Sequence, residues 1–551
     1  MQSQPHPQAS APLLVRRLLE PAAYPHPTAG IHLIETHISW VILTGDFVYK
    51  IKKPCDLGFL DFSTLDRRHR FCEEEVRLSG RFAPELYLGV VPITGSAEAP
   101  RIGGAGEPIE WAVKLRQFDE AGRLDRLFDA GRFSADACDR LGVEIAAVEE
   151  RLAVADHTAA WGRPEALVGI VRMNLDQLRR ARPEVRARAD RLQGWVEGKV
   201  ESERSAIESR VAAGKIRECH GDLHLANLVL CEGRIMAFDG IEFNESLRWI
   251  DVANDIAFLA MDFHARGRPD CAARLLSSWI EAADDHDAAR VLNLFMVYRA
   301  IVRGAVAAIR HGQAADSGDR DTAAAARAES DRYLELAERL TAVRQPMLFA
   351  TSGISGSGKT TVAARVVSAC GAIRIRSDIE RKRLAGMAAT ARPRDDEAVR
   401  SLYSTEMTAR VYERLATLAE GMLTAGWSVV VDACCTARSQ RDSLAAVARR
   451  CRAPLVWLEF DVPAEFVLAR VAARQATGTD ASDASVDVVR SQLTTREPIT
   501  PEEIAATPRA RCVTVTPWDA DDPSFIGRIA EPVSSSPTTE TPRTTPGARC
   551  R

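Results

Sequence analysis

Two stretches of this 551-residue chain place reactive side chains at spacings that phosphate chemistry requires. The first, Gly353-Ile354-Ser355-Gly356-Ser357-Gly358-Lys359-Thr360, fits G-x-x-x-x-G-K-[ST]. Its glycines let consecutive backbone N–H groups converge on phosphate oxygens, and a helix beginning there adds its partial positive charge. Lys359 would reach the β- and γ-phosphates of a nucleotide, the Thr360 hydroxyl would face Mg²⁺, and Thr361 would complete the binding set. A plain Gly/Ser turn would explain neither the Lys-Thr pair nor the flanks. Those flanks are an apolar run at Met347-Leu348-Phe349-Ala350 and a helical one at Thr361-Val362-Ala363-Ala364-Arg365-Val366-Val367.

The second stretch is Cys219-His220-Gly221-Asp222-Leu223-His224-Leu225-Ala226-Asn227, followed by a hairpin that ends at Phe238-Asp239. Asp222, Asn227 and Asp239 stand at intervals of five and twelve. Phosphoryl transfer needs a carboxylate to orient the acceptor hydroxyl and oxygen ligands to hold Mg²⁺ on the phosphates, and this set offers both. His220 and His224, four apart, could be taken for metal ligands, but no third ligand lies nearby.

The elements that would carry these residues can be read from periodicity. Residues 37–43 and 47–52 are β-rich runs around a turn at Thr44-Gly45-Asp46, which predicts a hairpin. Alternation puts Lys50 and Lys52 on one face, which by itself reads as an amphipathic strand with a wet side. A helix is expected over about 65–81, then strands at 86–92 and 110–115, giving a small α+β lobe that turns mostly helical from Phe128. Arg299 and Arg303, one helical turn apart, could meet an anionic substrate or form a solvated, salt-bridged face.

After Gln345-Pro346 the apolar runs 347–350, 372–375, 428–431, 454–460 and 512–515 alternate with helical text. That predicts an α/β domain with a parallel sheet, whose ligands collect at the carboxyl ends of the strands. Those ends hold Ser377-Asp378, Asp432 and Asp461.

Composition narrows the class. Lys plus Arg (72) nearly balances Asp plus Glu (76), so the net charge of −4 gives no reason to expect a polyanion as main partner. The twelve cysteines show no C-x-x-C pair, which favours reduced thiols in a cytoplasmic protein. Met1 to Pro12 lacks the pattern of a signal peptide, and no run of about 18 uncharged apolar residues predicts a membrane span.

His220-Gly221-Asp222 with Asn227 and Asp239 resembles the catalytic loop of the protein-kinase-like fold as used by aminoglycoside phosphotransferases and choline-kinase-like enzymes. The resemblance implies that Asp222 is the catalytic base, that Asn227 and Asp239 bind Mg²⁺, and that Lys50 contacts the α/β-phosphates. It implies Glu75 as the partner of Lys50, with Glu74 the alternative. The strand at 110–115 would lead to the adenine-binding hinge, and Asp251 and Asp255 would brace the loop. The hairpin departs from the pattern in having only Gly45 at its turn, and Asp239 is followed by Gly240-Ile241-Glu242.

The C-terminal half resembles P-loop kinases of the gluconate-kinase-like and zeta-toxin-like type. By that resemblance Asp378 stands beside the acceptor hydroxyl, Arg381 and Arg383 contact the substrate, Asp432 lies near Mg²⁺, and Arg470 and Arg474 form a closing lid. Each arginine taken alone reads more often as a surface residue, and it is the P-loop that favours the lid reading of Arg470 and Arg474. No Asn-Lys-x-Asp motif is present, so ATP is expected rather than GTP.

The expected organisation is a disordered N-terminus at 1–12, an aminoglycoside phosphotransferase-like domain at 13–342, a P-loop kinase-like domain at 346–516 and a disordered tail at 517–551. The expected activity is ATP- and Mg²⁺-dependent phosphoryl transfer to small-molecule hydroxyls, in both halves. A nucleotide-sensing regulator with a non-catalytic first half, and a polynucleotide 5′-end kinase, are the competing readings.

Overall fold

The computed structural model describes residues 11–530 apart from 57, 59, 157, 390, 392–394, 478–485, 517, 518, 520 and 521. The chain forms two compact units, neither continuous in sequence. One comprises Met1–Ser134, Glu144–Asp262 and Leu294–Leu334, the other Ala135–Val143, Phe263–Asn293 and Glu335–Arg551.

In the first unit six antiparallel strands form a sheet in the order His32–Glu35, Ser39–Leu43, Phe47–Lys52, Glu110–Arg116, Tyr87–Gly95, Pro100–Ile102. The helix Leu65–Ser79 is capped by Thr64, whose side chain accepts from the Arg67 N–H. It packs on the strands Glu110–Arg116 and Tyr87–Gly95. Cys72, Glu75 and Leu78 are all buried, as their spacing of three residues on one helical face requires. Two short hairpin-like pairs follow, Ile216–Glu218 with Trp249–Asp251 and Leu228–Cys231 with Arg234–Ala237, and they frame the loop 219–227 between them.

The second unit is built on a five-stranded parallel sheet ordered Ile373–Arg376, Val429–Asp432, Leu348–Ser352, Leu455–Phe460, Ala510–Val515. The central strand Leu348–Ser352 is buried at every position, as a strand covered on both faces must be. The helix Pro269–Ala283, expected in the first domain, belongs here: Ala273 shares a core with Val362, Val366 and Val367 of the helix Lys359–Cys370.

The expected tail also needs correction. Residues 523–530 form a helix that buries Phe525 and Ile529 in the same core, so two apolar side chains are enough to anchor a segment of polar appearance. The expected disordered stretches at 1–10 and 531–551 lie outside the described residues. The span His286–Asp316 is long and apolar enough to cross a membrane, with a mean hydropathy of 1.5 over its best window, but 72% of that window is buried, as in a core helix.

Candidate functional site

The Lys50 face of the strand Phe47–Lys52 is not wet. Lys50 Nζ donates to Glu75 Oε1 at 2.8 Å and is paired with Asp239. Lys52, fully buried, donates to Glu75 Oε2 at 2.8 Å and is paired with Glu242. Glu75 therefore bridges two ammonium groups; burial would raise its pKa, but both lysines hold it well below the ordinary carboxylate value. Glu74 points elsewhere and accepts from Arg77 at 2.8 Å. Asp239 adopts a left-handed conformation with φ 63°, unusual for a residue with a Cβ, and its N–H donates to the Tyr87 hydroxyl at 3.0 Å.

On the loop, Asn227 Nδ2 donates to Asp222 Oδ2 and to the Asp222 carbonyl, both at 3.0 Å, so its Oδ1 is the amide atom that could hold a metal. His224 Nε2 lies 3.4 Å from Asp222 Oδ2. Desolvation opposes ionisation of Asp222, but His224, Arg303 and His220 pull its pKa far below the usual range. Burial lowers the His220 pKa, and its Nε2–H donates to the Phe238 carbonyl at 3.0 Å. The two histidines thus serve different partners rather than one metal.

The loop is held from behind by buried groups. Asp255 accepts from the N–H groups of His220 at 2.9 Å and Gly221 at 3.0 Å, and Asp251 is bound twice by Arg210 at 2.7 Å. Gly221 has φ 82°, and a Cβ there would come within 2.7 Å of the Leu247 carbonyl, so only glycine fits. Arg299 is neither solvated nor turned to a substrate: it is buried, donating to Asn254 Oδ1 at 2.8 Å and to the Gly221 carbonyl at 3.0 Å. Arg303, one turn on, reaches Glu329 at 3.4 Å.

In the second unit the strand Leu348–Ser352 runs into the glycine-rich loop, and Gly358 opens the helix Lys359–Cys370. A Cβ on Gly356, at φ 86°, would lie 2.6 Å from Val471 Cγ2. The Ser357 hydroxyl is buried with no hydrogen-bond partner among the described groups, and Lys359 Nζ donates to the Ile354 carbonyl at 2.8 Å. An unpaired buried hydroxyl, a lysine resting on a loop carbonyl and exposed Thr360 and Thr361 at the helix start fit the phosphates and Mg²⁺ of a nucleotide.

Asp432 is buried at the end of the neighbouring strand, in register with Arg376. Burial disfavours the Arg376 charge, but Glu281, Asp432 and Asp378 around it hold its pKa above the ordinary value. Arg376 therefore lies within electrostatic reach of both predicted carboxylates, a role the sequence reading missed. Asp461 donates its N–H to the Val515 carbonyl at 3.0 Å, a strand-end contact. Arg470 Nη1 would be 3.7 Å from a Cβ on Gly358, which sets it over the loop. The Arg474 side chain and residues 478–480 lie outside the described residues.

Arg381 and Arg383 both have partners within the protein. Arg381 is buried, donating to the Leu402 carbonyl at 2.9 Å and Thr408 Oγ1 at 3.1 Å, and Arg383 is paired with Glu380 and bonded to the Glu281 carbonyl. Asp284, His286 and Glu380 bring ligand atoms within 4.8 Å of one another, but Arg383 and Arg414 already neutralise both carboxylates.

Residues 348–499 match the family model described as an AAA domain, AAA_33. A protein of Mycobacterium tuberculosis described as uncharacterised is 29% identical over 461 residues, covering 81% of this chain and 88% of its own length. A gluconokinase from Sinorhizobium meliloti 1021 is similar over 34% of this chain and 95% of its own, with 24% identity and a TM-score of 0.22. A choline kinase from Cryptosporidium parvum Iowa II is similar over 56% and 89%, with 12% identity and a TM-score of 0.36. The first unit thus sets the loop 219–227 beside a six-stranded antiparallel sheet, and the second carries its phosphate loop on a parallel sheet within the residues that match the AAA-domain model.

Proposed function

We propose that the chain is an ATP-dependent phosphotransferase with two separate phosphate sites, each directed at a hydroxyl group of a small molecule. The observation that carries this reading is Lys50 held between Glu75 and Asp239, in the same unit as a catalytic loop whose Asp222 and Asn227 are bonded to each other. That lysine–glutamate pair, the metal-binding Asp and the Asp–Asn loop are the parts phosphoryl transfer in this fold needs.

Magnesium-bound ATP would supply the transferable phosphoryl group and offset its charge. In the first unit Lys50, Asn227 and Asp239 would hold it, and ionised Asp222 would accept a hydrogen bond from the acceptor hydroxyl and orient it. In the second unit residues 353–358, Lys359, Thr360, Thr361 and Asp432 would hold the nucleotide. Asp378 would orient the hydroxyl, and Arg470 with Arg474 would offset developing charge.

Asp222→Asn and Lys359→Ala, assayed side by side on a metabolite pool for phosphorylated products and ATP turnover, test the reading. Each variant should lose its own products. Should Lys359→Ala alone matter with every acceptor, the first unit would be a nucleotide sensor and the two-site reading would be lost.

A further inference from the structure

Gln492 lies on the helix Val486–Thr495, 137 positions from the phosphate loop in sequence, and joins that loop to the segment following Asp432. Its Oε1 accepts from the Ser355 N–H at 2.8 Å, and its Nε2 donates to Cys434 Sγ at 3.8 Å. Cys434 completes the triangle: its carbonyl accepts from the Gly353 N–H at 2.8 Å and its thiol lies 3.6 Å from Ser355 Oγ. The bridge is anchored on both sides. Val489, three residues before Gln492, packs with Ile354, Val467 and Val471. Beyond the helix, the Glu497 N–H donates to the Thr436 carbonyl at 2.9 Å, and Arg441 donates to the Glu497 carbonyl at 2.9 Å.

A loop that must present its amides to phosphate has few internal bonds of its own, so the order it has before ligand arrives must come from outside. Here the Ser355 N–H is met by one carboxamide, which uses its two ends on the loop that precedes Lys359 and the loop that follows Asp432. An apolar side chain of the same length would leave the Ser355 N–H unpaired and remove the side-chain link between the helix Val486–Thr495 and both loops. A carboxylate would keep the Ser355 bond but set a negative charge beside a site built for anions.

We propose that Gln492 is a positioning residue of the P-loop site, holding the phosphate loop in register with the Asp432 loop before nucleotide binds. The proposal rests on the P-loop half of the function given above. It is tested on the full-length chain with Mg·ATP as ligand and the alkylation of Cys434 by iodoacetamide, followed by mass spectrometry of its peptide, as a reporter confined to this site.

ATP should slow Cys434 alkylation in the wild type. Gln492→Met should need about tenfold more ATP for half-protection, the effect of one lost hydrogen bond with its donor left unpaired. Gln492→Glu should need more still, and its deficit should shrink as salt rises, a response that a merely structural tie would not give. Wild-type protection with an unchanged half-protecting concentration in Gln492→Met overturns the proposal alone. A salt-independent Gln492→Glu with wild-type affinity does the same. Absence of protection in the wild type overturns the P-loop reading and this proposal with it.

Discussion

Lys52 Nζ lies 2.8 Å from Glu75 Oε2 with both side chains buried, while Lys50 holds the other oxygen of the same carboxylate at 2.8 Å. Lys52 also pairs with Glu242, three residues beyond Asp239. The second lysine thus ties the strand and helix of the Lys50–Glu75 pair to the segment that carries Asp239. Replacing Lys52 by Met leaves Glu242 buried without its cation, which should cost about 3–5 kcal/mol in urea unfolding. Adding Glu242→Leu should restore much of that loss, and a single-variant cost under about 1 kcal/mol would show that the pair is dispensable.

Glu218, just before the loop 219–227, is buried and accepts from Arg77 at 2.8 Å, Arg81 at 3.0 Å and Arg248 at 3.1 Å. Burial would raise its pKa, but these guanidiniums bring it from 4.5 down to about 2. Its folded pKa is below its unfolded one, so its contribution is complete above pH 4.5 and is lost as pH falls toward 2. Glu218→Gln should therefore lose on the order of 2–3 kcal/mol at pH 7, with the difference from wild type narrowing across that window. A pH-independent difference would mean that the pairing is not what stabilises this corner.

Asp222 orients and does not bind nucleotide in the proposed mechanism. Asp222→Asn should lower phosphoryl transfer by the first unit about 10²- to 10⁴-fold while leaving Mg·ATP affinity, read by calorimetry in a Lys359→Ala background, within about twofold. Asn227→Ala should instead weaken binding in a magnesium-dependent way. Equal loss of nucleotide affinity in both variants would argue against separate roles.

Phe525 is fully buried in the core that includes Val366, Val367 and Ile529. Phe525→Ala should destabilise the second unit by about 3 kcal/mol, seen as a lower unfolding midpoint for that unit. A neutral substitution would return this segment to the tail expected from composition.

The sequence by itself determined the parts whose chemistry is local. The run from Gly353 to Thr360 sets a turn, a helix start and a lysine within eight positions. Asp222, Asn227 and Asp239 are fixed by one loop and one hairpin, and the alternation of strands and helices after Gln345 required a parallel sheet. The choice between Glu75 and Glu74 stayed open in the sequence, and the buried face that Glu75 shares with Leu78 settled it.

Tertiary structure decided which distant charges meet. Lys52 and Glu242 are 190 positions apart and Ser355 and Gln492 are 137, and no local period links either pair. The same holds for Arg299, Arg381 and Arg383, whose surface or substrate-facing readings were open until packing turned them inward to carbonyls and carboxylates. Backbone geometry is encoded over a few residues, but a long charged side chain finds its partner only when separate elements are packed together, because burial decides whether it must be paired.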